Sequence, residues 1–130
     1  MTKLATALFL AAACTGTTVC AGCGGDGVDD LPDAFHITYV YDHSVPNVDC
    51  GQRDLVGANL TGMTGSMPML ADNPCSAPQV VDGAWTFTCT FDPPPENWHV
   101  TLKGDLSGGT LVREIVNDNC SDYFTITAVN

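Results

Sequence analysis

The chain has 130 residues, enough for one domain with a modest core, and its 15 Asp and Glu against 4 Lys and Arg give a formal charge of −11. Such a surface repels phosphate backbones and anionic lipid headgroups alike, which argues against nucleic acid as a partner and against membrane docking through the protein surface. No sequence repeat and no heptad pattern runs through it.

The first 23 residues, MTKLATALFLAAACTGTTVCAGC, bear on the compartment. Lys3 precedes the apolar run Leu4 to Ala13, and small and polar residues follow, the layout of a secretory signal. The run is too short for a permanent membrane-spanning helix, which needs about 20 apolar residues. Cys20-Ala21-Gly22-Cys23 resembles the lipobox of bacterial lipoproteins, in which small residues precede a cysteine that is lipidated and becomes the new N-terminus. Cys20 stands where that family usually has Leu. The resemblance covers the N-terminal stretch alone. It implies a signal peptide over residues 1–22, lipidation at Cys23, and a cell-envelope protein whose membrane partner is reached through an acyl anchor. Two other endings stay open at this point: a shorter signal before Cys14, and soluble secretion after cleavage near Ala13 or Ala21.

Cysteine parity favours the first ending. Of the seven cysteines, cleavage before Cys23 removes Cys14 and Cys20, and lipidation occupies Cys23. Cys50, Cys75, Cys89 and Cys120 are left, an even set for two disulfides in an exported domain. Neighbour pairing expects Cys50–Cys75 and Cys89–Cys120, one of three connectivities. The mature chain keeps all 15 acids against Arg53, Lys103 and Arg113, a formal charge of −12.

Residues 23–33 read as the lipidated cysteine followed by a flexible acidic linker, because Gly24 to Asp33 is Gly-rich, acidic and almost without apolar side chains. Its aspartates do not follow the spacing of a calcium-binding EF-hand loop. The β domain spans residues 34–130. Ala34 to Asp42 is a strand with Phe35, Ile37, Tyr39 and Tyr41 on one face, ended near Pro46. Asp54 to Leu60 is a weaker strand. Thr61 to Pro78, rich in Gly and Pro, reads as a long loop pinned by Cys75 and as the place to look for a binding surface, with Met63, Met67 and Met69 in it. Val80-Val81, the turn Asp82-Gly83 and the strand Ala84 to Phe91 form a hairpin, with Trp85, Phe87, Cys89 and Phe91 on one face. Asp92-Pro93-Pro94-Pro95-Glu96 is expected to cross over in an extended conformation. Trp98, Val100 and Leu102 face inward on the next strand. Leu111 to Val116 and Tyr123 to Val129 complete six or seven short strands with turn signals between them. The fold class is all-β, a small disulfide-stapled antiparallel sandwich or meander barrel.

Chemistry-bearing patterns are sparse. His36 and His99 fall on outward strand faces and could share a metal site only if their strands are neighbours; His43 follows the first strand. No ligand-spacing motif accompanies the three histidines. The methionines could present thioethers to Cu(I), but gap-filling is the simpler role for them. G-x-S-x-G, H-E-x-x-H and P-loop motifs are absent. The sequence therefore calls for no cofactor and no catalytic residue. It reads as a non-catalytic binding or structural module for an unidentified protein or small molecule, the alternative being an exported metal carrier or hydrolase built on His36, His43 or His99.

Overall fold

Period-2 alternation puts one row of apolar side chains on each strand, and those rows must be buried together. The computed structural model describes residues 27–46, 50, 55–93 and 95–130. The expected signal and the lipidation at Cys23 lie outside the described residues. Among the described residues nine strands are found: β1 (Phe35–Val45), β2 (Gly57–Thr61), β3 (Met69–Leu70), β4 (Asn73–Pro74), β5 (Gln79–Val81), β6 (Ala84–Phe91), β7 (Glu96–Lys103), β8 (Gly109–Ile115) and β9 (Cys120–Val129). The described residues contain no helix.

All nine strands pair antiparallel in one sheet, in the order β4-β3-β2-β1-β9-β8-β7-β6-β5. The sheet curls until its two ends meet. Cys75, the residue after β4, makes an antiparallel bridge to Cys89 in β6, and the Ser76 amide donates to the Thr88 carbonyl at 2.8 Å. This closure is made at β6, and β5 stays an exposed edge strand. Of the two all-β architectures expected, the meander barrel is the one that forms.

The rows read from the sequence line its interior. Phe35, Ile37 and Tyr39 of β1, Phe87 and Cys89 of β6, Trp98, Val100 and Leu102 of β7, Leu111 of β8, and Phe124 and Ile126 of β9 are all buried. Tyr39 is held between aromatic partners, edge-on to Phe124 at 5.3 Å and to Trp98 at 6.4 Å between ring centroids. Burial of each such side chain contributes roughly 1.5–3 kcal/mol. At the β5–β6 turn, Asp82 and Gly83 take φ of 50° and 75°, the left-handed pair that a two-residue hairpin of matching twist requires.

Four expectations are corrected. The stretch from Thr61 to Pro78 contains β3 and β4, since Leu70 and Leu60 are cross-strand partners buried together. The Asp92 to Glu96 segment is a hairpin loop and not a crossover: β6 and β7 pair along their whole length, with Phe91 opposite Glu96. A connection this short can join only neighbouring strands.

The disulfides are Cys50–Cys120 and Cys75–Cys89, not the neighbour pairing. Strands β7 and β8 separate Cys89 from Cys120, a gap of about 14 Å at the usual strand spacing, far beyond disulfide reach. Two disulfides in one domain point to an oxidising, exported environment.

The acidic linker is also only partly free. Residues 24–26 lie outside the described residues, but Leu31 is buried in the core and the Asp29 amide donates to the Gly104 carbonyl at 2.7 Å. The Trp85 indole donates to the Asp29 carbonyl at 2.9 Å. Hydrogen bonds from the Thr64 hydroxyl and amide reach Asp33 and hold its carboxyl below the usual carboxylate range. A Cβ on Gly104 would meet the Gly83 carbonyl at 2.5 Å and Val28 at 3.3 Å, so only glycine lets this strap lie flat. One apolar side chain, Leu31, supplies the burial that the linker's composition seemed to lack.

Non-reducing peptide mapping should recover Cys50–Cys120 and Cys75–Cys89 as the linked pairs. The first closes 70 residues and the second 14, so Cys50→Ala/Cys120→Ala should lose about 4 kcal/mol in equilibrium denaturation and Cys75→Ala/Cys89→Ala about 3 kcal/mol. Recovery of a Cys50–Cys75 peptide would contradict the barrel's strand order.

Candidate functional site: a cavity above a buried ion cluster

Leu111, Arg113 and Ile115 share the inward face of β8, so strand parity alone drives the Arg113 guanidinium into the barrel. It is 3% exposed. Two carboxylates converge on it from adjacent strands. Glu96, at the start of β7, accepts from Nε at 2.8 Å and from Nη2 at 2.5 Å. Asp122, directly opposite Arg113 on β9, accepts from Nη1 at 3.0 Å. Nη1 also reaches the Cys50 carbonyl at 3.4 Å.

The second oxygen of Asp122 accepts from the Ser44 hydroxyl at 2.5 Å and from the Cys50 amide at 3.4 Å. The Trp98 indole donates to Glu96 at 3.0 Å. Among the described residues no buried side-chain nitrogen or oxygen lacks a partner, which is the condition for burying charge at tolerable cost.

Burial alone would raise the Glu96 pKa. Hydrogen bonds from Arg113 and Trp98 and the guanidinium charge outweigh it and hold the carboxyl below its ordinary value of 4.5. Burial would likewise lower the Arg113 pKa, but Glu96 and Asp122 reverse the sign. Glu96 and Arg113 are thus held as an ion pair, and Asp122 completes the guanidinium's partners through Nη1.

Glu96 also forms part of the wall of a cavity of about 350 Å³ at this end of the barrel. Tyr39, Phe91 and Trp98 supply its aromatic lining, Leu55, Ala58 and Leu70 its aliphatic lining, and Asp92 and Asn73 further polar groups. Phe91 stacks on Trp98 at 4.7 Å between centroids. Burial pushes the Tyr39 phenol up to about 12, so it stays neutral. A concave, mainly apolar recess with a few fixed polar groups is the usual form of a small-molecule site, and this volume lies at the small end of that range.

The histidines do not form a site of their own. His36 bonds Asn59 at 2.8 Å; His43 pairs with Asp42 at 2.9 Å and stacks on Tyr123 at 4.4 Å. His99 sits on β7, with β8 and β9 between it and β1, so the shared His36–His99 site does not arise. Among the described residues no group of three potential metal ligands comes together.

His99 does bridge Thr88, at 3.0 Å, and Glu114, at 3.2 Å, a hydroxyl–imidazole–carboxylate chain on the outer face. The His99 and Glu114 side chains are each 47% exposed, so solvent screens the pair. The Thr88 amide, a donor that could face an oxyanion, is already given to the Ser76 hydroxyl at 3.0 Å.

The methionines likewise separate. Met63 is core, Met69 is half-buried on β3, and Met67 is 73% exposed. The Thr61 to Pro78 stretch does contribute to the cavity, but through Leu70, Ala71 and Asn73. Sequence reasoning missed Glu96, Arg113 and Asp122 as a unit. The available signal was opposite charges at inward positions of three successive strands.

No protein-family model, curated protein or solved structure matches the chain.

Replacing Arg113 with Met should cost about 3–5 kcal/mol, because two buried carboxylates lose their cation. The stability that ionised Glu96 confers is full above its unfolded-state value and is lost as pH falls through its lowered folded-state value. Urea midpoints should therefore drop as pH is taken from 5 toward 2.5, and Glu96→Gln should be less stable at pH 7 yet show a shallower acid decline. An unchanged decline in that variant would place the acid sensitivity elsewhere.

Proposed function

We propose that the protein is a non-catalytic ligand-binding module of a bacterial cell envelope, exported, oxidised and anchored through acylated Cys23. One observation carries the binding part: the aromatic cavity opens at a barrel end whose buried carboxylates are already engaged. Glu96 accepts three hydrogen bonds with its pKa driven down, which suits it to fixing a wall and unsuits it to proton transfer near neutrality. The anchor rests on the lipobox resemblance at Cys20-Ala21-Gly22-Cys23, and the two disulfides agree with export.

The strap supports a definite orientation. Val28 to Asp33 docks at the barrel end that carries Gly104 and Trp85, and the cavity is at the other end, with Phe91 and Glu96. Four residues separate Cys23 from Val28, a reach of at most about 17 Å. An acyl chain on Cys23 would hold the strap end toward the bilayer. Strands of eight residues, such as β6 and β7, then lift the cavity roughly 25 Å farther out, facing away from the membrane.

Cys23→Ser should move the protein from the membrane pellet to the soluble fraction with its disulfides intact. The intact mass of membrane-extracted protein should begin at Cys23 with acyl mass, and four alkylation sites should appear only on reduction. A Cys23→Ser protein that still sediments with membranes would remove the anchor.

A further inference from the structure

The wall of the cavity carries a charge pattern that packing does not require. The rings of Tyr39, Phe91 and Trp98 share it with two carboxylates, Asp92 and Glu96. Asp92 is exposed, while Glu96 is buried and ionised. Arg113 behind the wall is divided between Glu96 and Asp122, so its charge is not given to Glu96 alone. Aromatic faces present the negative side of their quadrupole, and a cation over such a face gains about 0.5–2 kcal/mol according to how far it is desolvated. Where a ring face borders the cavity, it acts in the same direction as the carboxylates. A carboxylate or phosphate ligand would meet repulsion here, in a chain already strongly acidic. A neutral ligand would gain no charge pairing from Asp92 or Glu96.

We propose that this cavity binds an organic cation, a quaternary ammonium group on a small body, with Trp98, Phe91 and Tyr39 as its aromatic walls and Asp92 and Glu96 as its counter-charges. The proposal rests on the reading of the barrel as a ligand-binding module and names the ligand class for it. A volume of about 350 Å³ accommodates a trimethylammonium head with a short chain. Asp92 belongs to the β6–β7 loop, where charge can meet an entering cation before it is desolvated.

Three probes of one shape separate charge from fit: choline, its uncharged isostere 3,3-dimethyl-1-butanol, and the anion 3,3-dimethylbutyrate. Calorimetric titration of the mature protein should find choline bound about tenfold more tightly than the alcohol, and the anion not bound. Asp92→Asn should weaken choline by about two- to fivefold and leave the alcohol unchanged. Trp98→Leu should abolish the preference; should that variant not fold, Asp92→Asn, at an exposed position, decides. If the alcohol binds as tightly as choline, the cation class is overturned and the ligand-binding reading stands. If no probe binds, both fall. If choline binds equally to wild type and Asp92→Asn, the ion sits elsewhere and the assignment to this cavity is overturned.

Discussion

A guanidinium inside a barrel of apolar side chains is tolerable only if its charge and its donors are met by fixed partners. Arg113 imposes that condition here, and much of one barrel end follows from it. Glu96 must sit at the first inward position of β7 and Asp122 at the facing position of β9. Ser44 must turn inward near the end of β1 to complete Asp122. The Cys50 backbone must come close enough to donate to Asp122 and accept from Arg113. Cys120 lies two residues before Asp122, so the Cys50–Cys120 disulfide fastens the segment that completes the ion cluster. Charge satisfaction and covalent stapling reinforce each other at one place.

The second disulfide serves a different end. An antiparallel meander has two edges, and an exported acidic domain of this size has only a modest core with which to hold them together. Cys75–Cys89 ties the short β3–β4 hairpin to β6, where the two ends of the sheet meet. The two Ser76–Thr88 hydrogen bonds continue the seam by one more residue pair. The strap at 28–33 covers the far end of the barrel, with Leu31 as its plug. One end is thus capped by chain, while the other holds the ion cluster and the open aromatic cavity.

That polarity is what gives the functional reading its shape. Rigid strands hold Trp98 and Glu96, and their own hydrogen bond fixes both side chains before any ligand arrives. Preorganisation of this kind lowers the cost of binding and serves no proton transfer. The histidines, which a search for chemistry would turn to first, are spread over the outer surface and each already has a polar neighbour. The recess with fixed walls, and not the titratable surface, carries the function proposed.

The amino-acid sequence by itself determined the strands and their inward faces, because period-2 burial is a local property that Trp85 to Phe91 or Trp98 to Leu102 display without reference to any neighbour. It also determined the Asp82-Gly83 turn, whose left-handed pair depends on two adjacent residues. The candidate site is legible only in part: strand parity turns Trp98 and Tyr39 inward, and the Gly- and Pro-rich Thr61 to Pro78 stretch marks a place for binding, although Leu70, Ala71 and Asn73, not its methionines, line the cavity.

Three things were decided by tertiary structure alone. Disulfide pairing depended on β9 returning beside β1, an arrangement in space that spacing along the chain does not encode. Docking of the 28–33 strap depended on a pocket for Leu31 made by residues far away in sequence. The Arg113 cluster depended on register, since inward parity on three separate strands marks each charge as buried but only the alignment of β7, β8 and β9 brings them within hydrogen-bonding reach of one another.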